Sequence, residues 1–424
     1  MGATPPAGDV PVRVQLAEDT LASPRLKALL ESLQRKERDA IGRFWTEVRK
    51  SGTPLVEAVP GADRQLLVTF LWQGGDDVHG VVILGSIAGA APLSRMAGTD
   101  LWYRSYLVRR DARFTYRLAP VRDPGFALAE GTPGYDRGKI RATAQLDPLN
   151  PHRHPPVKDP LLSVVELPEA PPALWVSRRP GVAAGKLEET RLRSSHLEGR
   201  REISVYTPPS YSKDGAPYPL LVVLDGTAYL DLIPLPTILD NLISAGRIQP
   251  VVAVLVGRLE AEDRDADLSC NRSFEAFLAE EVVPWVADRY RVTSDPARTV
   301  IAGSSLGGLQ AACTAIAAPE RFGNVLAQSG AFQQKPEAAK VAEWVAHRLG
   351  LGPQLPLRFY LDAGLLETWS GPGDPSILDA NRHLHEALLR KGYDVTYREF
   401  AGGHGYANWQ VTIPDGLIAL LGQR

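Results

Sequence analysis

The segment TVIAGSSLGGLQAACTAIAAPERFG, residues 299–323, joins a short apolar run to a run of helical character through a cluster of small residues. Within it, GSSLG at 303–307 fits the pattern G-x-S-x-G. In this pattern a serine occupies a tight turn between a strand and a helix, which approach so closely that the glycine positions tolerate only small residues. The segment therefore predicts a strand, a strained turn centred on Ser305, and a helix.

Ser305 is at the centre of the pattern, and its hydroxyl is predicted to project above the sheet as a nucleophile. The start of the following helix directs N–H groups toward the same place, which suits a developing negative charge. The alternative is a plain Gly/Ser turn that caps a helix. The strand before the turn, the helix after it and the additional Gly308 favour the catalytic interpretation.

A catalytic serine requires a base, and the chain contains eight histidines. In a fold with this turn, the nucleophile, the acid and the histidine follow one another in that order along the chain. His404 satisfies the order, because it lies in FAGGHGYANW, after the strand-like DVTYREF and before the final helix. We therefore predict His404 as the base, with an exposed loop histidine as the alternative. His383 and His385 are predicted to lie on the surface of a helix.

The acid that orients the histidine is expected after the preceding strand, in LRFYLDAGLLETWSGPGD. Glu367 ranks first, because it follows the strand in a loop from which a carboxylate can turn toward an imidazole. Asp374 ranks second, and Asp362, at the strand end, is open to a structural role. The acid would hold the imidazole tautomer and stabilise the imidazolium.

An oxyanion hole needs two N–H donors. The first is predicted to be the N–H of Leu306, the residue after the nucleophile, and the second to come from the turn after an early strand. LLVVLDGTAY ends in such a turn, which makes Gly226 the expected donor and Thr227 the alternative. A simple turn without a catalytic role is the other interpretation of LDG.

The sequence around these motifs alternates short apolar runs with segments of helical length, among them 273–290, 305–318 and 376–391. Strands buried on both faces have this composition, and their alternation with helices predicts a parallel sheet. Together with the serine turn, the pattern predicts that residues 186–424 form an α/β-hydrolase domain.

Residues 1–165 are predicted to form a smaller N-terminal domain. Residues 24–50 indicate two helical pieces after a Ser23 cap. From residue 65, short alternating runs separated by Gly, Asp and Pro are typical of a β-sandwich. A Pro-rich passage, 166–185, is predicted to be an extended linker between the two domains.

Bulk properties limit the classes of function. A length of 424 residues predicts two domains, and a net charge of −2 provides no global attraction to nucleic acid or anionic lipid. No apolar run reaches the roughly 20 residues that span a bilayer, and the N-terminus lacks a secretion signal, so we expect a soluble cytoplasmic protein. The two cysteines, Cys270 and Cys313, show no metal-ligand spacing and no disulfide framework.

The chain resembles bacterial enterochelin (enterobactin) esterases, in the two-domain form with a β-domain before an esterase-D-like α/β-hydrolase. In the N-terminal part, MAGTDLWYRSYLV and QLDPLNP are similar to that family. In the second part, the similar segments are LLVVLDG, RDADLSCN, residues 300–332, LDAGLLE and AGGHGYANW. Several such segments in the right order are far more specific than G-x-S-x-G alone.

The resemblance implies a serine esterase that cleaves the ester bonds of a cyclic tris-serine lactone carrying three catechol amides. The ferric complex of this siderophore is a tricatecholate anion, and hydrolysis helps to release the iron. Ser305, Glu367 and His404 are the triad that the resemblance implies, and this chemistry requires no cofactor and no metal in the protein.

An anionic, aromatic substrate favours arginine and aromatic contacts. Arg264, in EDRDADLSCN, matches an arginine of the family, and Trp369 and Trp409 flank the acid and the base in sequence. Packing or surface charge is the alternative role for each. The resemblance also implies that the N-terminal domain covers the mouth of the active site or makes contacts in a homodimer.

Two segments depart from the family pattern. TWSGPGDPSILDA, after Glu367, is longer and richer in Gly and Pro, and the loop GRLEAEDRD is strongly acidic. Both leave open a serine esterase for another macrolactone, a depsipeptide or an aryl ester. A non-catalytic siderophore-binding protein is the alternative from a different class, and the complete Ser/acid/His set weighs against it.

Overall fold

A computed structural model describes residues 15–16, 22–87, 89–128, 132–155, 161–257, 264–336, 339, 341–370 and 374–422. The chain divides into two units. The first comprises Met1–Pro171 together with Ala401–Ala407, and the second comprises Pro172–Phe400 together with Asn408–Arg424. The division after Pro171 falls inside the Pro-rich passage. The assignment of 401–407 to the first unit has no counterpart in the sequence pattern.

Most of the first unit is β-structure. Its strands are β1 (Gln15–Leu16), β2 (Leu55–Glu57), β3 (Gln65–Gln73), β4 (Gly80–Gly85), β5 (Gly89–Pro92), β6 (Ser94–Arg95), β7 (Leu101–Arg109), β8 (Arg113–Val121), β9 (Arg153–His154) and β10 (Leu162–Glu166). One sheet has the order β1-β7-β3-β2, with β6 also paired to β7, and the other has the order β5-β4-β8-β10-β9. Every ladder in both sheets is antiparallel.

The two sheets of the first unit share an aromatic core. The ring of Phe70 on β3 lies 6.0 Å from that of Tyr106 in its own sheet and 4.7 Å from that of Tyr116 in the other sheet, measured between centroids. All three side chains are buried. The helices of this unit are α1 (Pro24–Gln34), whose N-cap is Ser23, α2 (Ala40–Ser51) and α3 (Arg137–Thr143). The predicted β-sandwich and its two leading helices are confirmed.

The second unit is built on an eight-stranded sheet. Its strands are β11 (Lys186–Arg193), β12 (Arg200–Thr207), β13 (Leu220–Leu224), β14 (Val252–Val256), β15 (Thr299–Ser304), β16 (Asn324–Gln328), β17 (Arg358–Gly364) and β18 (Asp394–Phe400). Their order is β11-β12-β14-β13-β15-β16-β17-β18. The two ladders made by β12 are antiparallel and the others are parallel. Strands β13 to β16 are buried along their whole length, as their continuous apolar sequences predict.

Helices follow most of the parallel strands. They are α4 (Gly226–Asp231), α5 (Leu235–Ser244), α6 (Arg264–Asp267), α7 (Arg272–Ala276), α8 (Val283–Arg289), α9 (Leu306–Ala317), α10 (Trp344–Leu351), α11 (Ile377–Arg390) and α12 (Tyr406–Leu421). A π-helical stretch, Phe277–Val282, joins α7 to α8, so the helix expected at 273–290 is continuous but widened before Pro284, which lacks an N–H. The predicted α/β fold is confirmed, and no described helix is both long and apolar enough to cross a bilayer.

Cys270 and Cys313 form a disulfide, which corrects the expectation that the chain has none. Cys270 follows α6, and Cys313 lies in α9, which begins directly after Ser305. The two residues are 43 positions apart in sequence and 5.4 Å apart between Cα atoms. Their spacing carries no pairing signal, because only the packing of distant elements brings them together.

Candidate active site

Ser305 occupies the turn between β15 and α9. Its backbone has φ 57° and ψ −121°, a conformation that costs energy for a residue with a side chain. A Cβ atom added at Gly303 would lie 2.4 Å from the carbonyl carbon of Gly307, so strand and helix meet too closely for any side chain there. The predicted strand, strained turn and helix are all present.

Three backbone hydrogen bonds hold the serine turn. The N–H of Ser305 donates to the Gln328 carbonyl over 2.9 Å. The Ser305 carbonyl accepts from the N–H of Leu309 at 3.1 Å and from that of Ala331 at 2.9 Å. These bonds join the turn to the end of β16, to Ala331 just after it and to the first turn of α9. Ser305 itself is half-buried. The strained backbone is therefore supported from both sides.

The two predicted oxyanion donors stand at the first positions of two helices. Leu306 begins α9 and Gly226 begins α4, and a backbone N–H at that position has no acceptor within its own helix. Strands β13 and β15 are adjacent and parallel, so both helices start at the same edge of the sheet. A Cβ atom at Gly226 would lie 2.6 Å from the backbone carbonyl carbon of Leu255, which restricts the position to glycine.

Arg264 forms a bidentate ion pair with Asp225, the residue before Gly226. Its Nε donates to Oδ1 over 2.7 Å, and a terminal guanidinium nitrogen donates to Oδ2. The Asp225 side chain is 4% exposed and that of Arg264 is 24% exposed. Asp225 was not singled out in the sequence, although it immediately precedes the predicted donor. Residues 258–263 of the acidic loop noted above lie outside the described residues.

Glu367 lies in the turn that follows β17. Its side chain is 5% exposed, and Oε2 accepts a hydrogen bond from the N–H of Gly364 at 3.1 Å. Its carbonyl also accepts from the N–H of Leu378, at the start of α11. Asp374, the other candidate acid, is exposed to solvent. A buried carboxylate held by backbone suits the orienting role better than an exposed one.

Asp362 is a fully buried carboxyl that the sequence left open to a structural role. Burial, together with the nearby charge of Glu367, raises its pKa to about 7. Oδ1 accepts from the N–H of Ser329 at 3.2 Å, and β17 pairs Asp362 with Gln328 of β16. The residue therefore lies inside the sheet, under the same strand ends that carry the candidate site.

Trp409 is 3% exposed and belongs to a buried polar network. Its indole N–H donates to Ser329 Oγ over 2.9 Å, and its carbonyl accepts from Gln328 Nε2 at the same distance. Tyr229 of α4 donates to the other side of the Gln328 amide. This position favours packing over the predicted contact with substrate. Trp369 is different, because 59% of it is exposed.

His404 lies in the segment Ala401–Ala407, which is grouped with the first unit. The residue is half-buried and stands between Gly403 and Gly405. Its carbonyl accepts a hydrogen bond from Ser86 Oγ over 3.2 Å. His383 and His385 are on α11, as predicted, where His383 Nδ1 lies 2.7 Å from a Glu343 carboxylate oxygen.

Two family models match the chain. One, described as "Putative esterase", covers residues 194–420, more than half of the sequence. The other, described as "Enterochelin esterase, N-terminal", covers residues 67–176. The first match contains the serine turn and both loops with the predicted acid and base.

Individual relatives match over most of the chain. An iron(III) enterobactin esterase of Dickeya dadantii is 30% identical, covering 89% of this chain and 92% of the relative. An iron(III) salmochelin esterase of Escherichia coli is 28% identical, covering 89% and 93%. The ferric enterobactin esterase structure from Salmonella typhimurium has a TM-score of 0.71 at 26% identity, covering 88% of this chain and 98% of that one. The enterobactin esterase of Shigella flexneri, crystallised in the presence of enterobactin, has a TM-score of 0.70 at 26% identity, covering 89% and 97%.

Proposed function

Because the chain belongs to the enterochelin esterase family and is a carboxylic-ester hydrolase, we propose that it hydrolyses the ester bonds of a catecholate trilactone siderophore. Relatives that match along most of its length are esterases for iron(III) enterobactin and iron(III) salmochelin, which makes the ferric complex the favoured substrate. The observation that carries the proposal is the strained Ser305 turn, in a chain that matches this family in both parts.

In the proposed acylation step, Ser305 Oγ attacks a lactone carbonyl carbon while His404 takes the hydroxyl proton. The carbonyl π electrons move to oxygen, which becomes the oxyanion of a tetrahedral intermediate. When the intermediate collapses, the bond from carbon to the substrate serine oxygen breaks. The imidazolium of His404 returns its proton to that oxygen, which leaves a linear chain attached to Ser305 as an ester.

Deacylation repeats the same steps with water. His404 takes a proton from the water as its oxygen attacks the acyl carbon, and then returns a proton to Ser305 as the ester bond breaks. The product is a carboxylic acid, and the enzyme is restored without a cofactor. Each ester bond of the trilactone consumes one water in this way.

Backbone donors stabilise both tetrahedral intermediates in this mechanism. The N–H groups of Leu306 and Gly226 begin helices at the same sheet edge, and each is assigned to the oxyanion. One such donor contributes about 3–4 kcal/mol to transition-state stabilisation. Glu367 is assigned to the His404 imidazole because it is the buried acid of the two candidates. Its charge would favour the imidazolium without accepting the proton.

Substrate contacts are assigned to Arg264 and Trp369. Arg264 is partly exposed beside the proposed oxyanion turn, where its positive charge would attract a tricatecholate anion. Trp369 presents an exposed ring two residues after the proposed acid, and an aromatic face of this kind suits a catechol. Trp409 is assigned to packing beneath the site.

Product analysis by chromatography tests the proposal. Purified wild type, Ser305→Ala and Ser304→Ala are incubated with apo and ferric enterobactin. Ser304 is the matched control, because it is fully buried and its Oγ has no hydrogen-bond partner within the described residues. We expect linear trimer, dimer and monomer from wild type and Ser304→Ala and intact trilactone from Ser305→Ala.

Two other outcomes would reject the assignment in different ways. Intact trilactone with Ser305-dependent hydrolysis of a p-nitrophenyl ester would retain the esterase site and point to another macrolactone, a depsipeptide or an aryl ester. Binding of the trilactone without turnover, unchanged in Ser305→Ala, would point to a siderophore-binding protein. Comparing apo with ferric substrate decides whether iron is required.

A further inference from the structure

Within the first unit, the segment that carries His404 is joined to the sandwich by two hydrogen bonds and one β-bridge. The N–H of Arg113, at the start of β8, donates to the Ala401 carbonyl over 2.9 Å. Arg113 and Gly402 form a parallel β-bridge. Ser86, directly after β4, donates its hydroxyl to the His404 carbonyl over 3.2 Å. The backbone of the segment thus follows the sandwich up to the histidine itself.

Gly403 packs against Ser86 without room for a side chain. A Cβ atom added at Gly403 would lie 2.0 Å from the Ser86 Cβ and 2.9 Å from its Oγ, well inside the contact distance of two heavy atoms. Gly403 is not among the glycines with positive φ. The requirement for glycine at this position is therefore steric, and Ser86 is its cause.

The part of the sandwich that contacts this segment is itself fixed by hydrogen bonds. The Arg113 side chain is 7% exposed, and one guanidinium nitrogen donates to a Glu166 carboxylate oxygen and to the Pro171 carbonyl, each over 2.6 Å. The Ser86 N–H lies 3.4 Å from the carbonyl of Thr115, on the same strand as Arg113. Both contact points for the segment therefore belong to one hydrogen-bonded part of the first unit.

We propose that Ser86 is a positioning residue for His404: its hydroxyl and its contact with Gly403 set where the histidine backbone lies. The inference rests on the proposed function, in which His404 is the base. The segment contains three glycines among residues 401–405, so its backbone has many accessible conformations when unsupported. A general base displaced by about 1 Å loses about 100-fold in rate, which makes such support necessary.

A pair of complementary substitutions tests the proposal. Gly403→Ala introduces the overlap with Ser86. Ser86→Gly removes the two atoms of closest contact, the Cβ and the Oγ, and leaves the Cα at 3.1 Å. We expect Gly403→Ala to lower kcat for a p-nitrophenyl ester about 100-fold with an unchanged KM, because the base is displaced while the small substrate still binds. The double variant should regain at least tenfold of that loss.

Gly125→Ala is the matched control, because a Cβ atom there would meet its nearest neighbour, Asp123 Oδ1, at an ordinary 3.5 Å. It should retain wild-type kcat. The thermal unfolding of each variant is also measured, and kcat is expressed per folded enzyme. A loss of stability is thereby distinguished from a loss of catalysis. Wild-type kcat in Gly403→Ala, or a loss that Ser86→Gly does not recover, would overturn the proposal.

Ser86→Ala decides the question if Gly403→Ala fails to fold. It removes only the hydroxyl, and we expect kcat to fall about threefold to tenfold at constant KM, the effect of one lost hydrogen bond. Unchanged kcat in Ser86→Ala would then reject the positioning role. Ser305→Ala and His404→Ala are measured alongside: if either hydrolyses the ester like wild type, it is the proposed function that fails.

Discussion

Replacing Arg264 with alanine separates two roles for its guanidinium. The sequence assigned Arg264 to the substrate, whereas the structure pairs it with Asp225, next to the proposed oxyanion donor Gly226. If the pair holds this turn in place, the variant should lose activity toward every ester. If Arg264 acts only on an anionic siderophore, the variant should lose affinity for that substrate alone.

The size of the effect follows from burial. The Asp225 side chain is 4% exposed, so removing its partner leaves a nearly dehydrated carboxylate without its charge-assisted hydrogen bonds. Breaking a buried pair costs about 3–5 kcal/mol, and because Arg264 is partly exposed we expect a loss of about 3 kcal/mol in the free energy of unfolding. Displacement of the oxyanion donor would lower kcat by about 100-fold or more.

The assay measures kcat and KM with a p-nitrophenyl ester and with the trilactone, together with the free energy of unfolding in urea. Arg264→Ala combined with Asp225→Asn should recover much of the stability, because asparagine removes the unpaired charge. Arg390→Ala is the control, since its ion pair with Glu386 is exposed and should contribute less than about 1 kcal/mol.

Two other results would exclude a role for Arg264 in holding the turn through the Asp225 charge. Unchanged unfolding free energy and unchanged kcat for the small ester, with a raised KM for the trilactone, would show that Arg264 contacts substrate and that the turn does not depend on it. Equal losses in Arg264→Ala and the double variant would show that the Asp225 charge is not the source of the cost.

Four other substitutions test buried and exposed groups of the second unit. The Cys270–Cys313 bond closes a loop of 43 residues, so Cys313→Ala should lower the free energy of unfolding by up to about 4 kcal/mol. A urea midpoint that neither the substitution nor a reductant changes would contradict this. Burial raises the pKa of Asp362 from 3.8 to about 7, so its contribution to stability is present below pH 4 and is lost as the pH rises to 7. The difference in unfolding free energy between Asp362→Asn and wild type should therefore shift in favour of the variant by up to about 4 kcal/mol from pH 4 to pH 8. Parallel pH profiles of the two proteins would contradict this prediction. Gly226→Ala should lower kcat about 100-fold or more at constant KM, because its methyl group displaces the oxyanion donor; wild-type kcat would exclude Gly226 from that role. Trp369→Ala should raise KM for the trilactone and leave the p-nitrophenyl ester unaffected, whereas equal changes for both substrates would argue against stacking on a catechol.

Much of the fold was predictable because its signals are local. Continuous apolar runs marked the buried strands β13 to β16, and alternation with helical segments marked the α/β unit. Short runs with alternating apolar and polar residues, separated by turn residues, predicted the β-sandwich. The helix expected at 273–290 is continuous but contains a π-helical stretch, which hydrophobic periodicity does not predict because it reflects only the average helical turn.

The candidate site was predictable only in part. Position along the chain ranked Glu367 above Asp374 but kept both as candidates, because both follow β17. In the structure Glu367 is buried and Asp374 is exposed. Trp409 was assigned to substrate from its closeness to His404 in sequence. In the structure its side chain points into the buried network of Gln328 and Ser329, because five residues of turn and helix redirect the chain after the histidine.

The sequence alone determined the serine turn, since the steric requirement for glycine at position 303 comes from the backbone of Gly307, within five residues of chain. Only the tertiary structure decided which distant groups meet: Cys270 with Cys313, and Asp225 with Arg264. Such contacts form between elements that lie 39 or more residues apart. The free energy that selects them comes from burial of the whole unit, so no short sequence pattern predicts them.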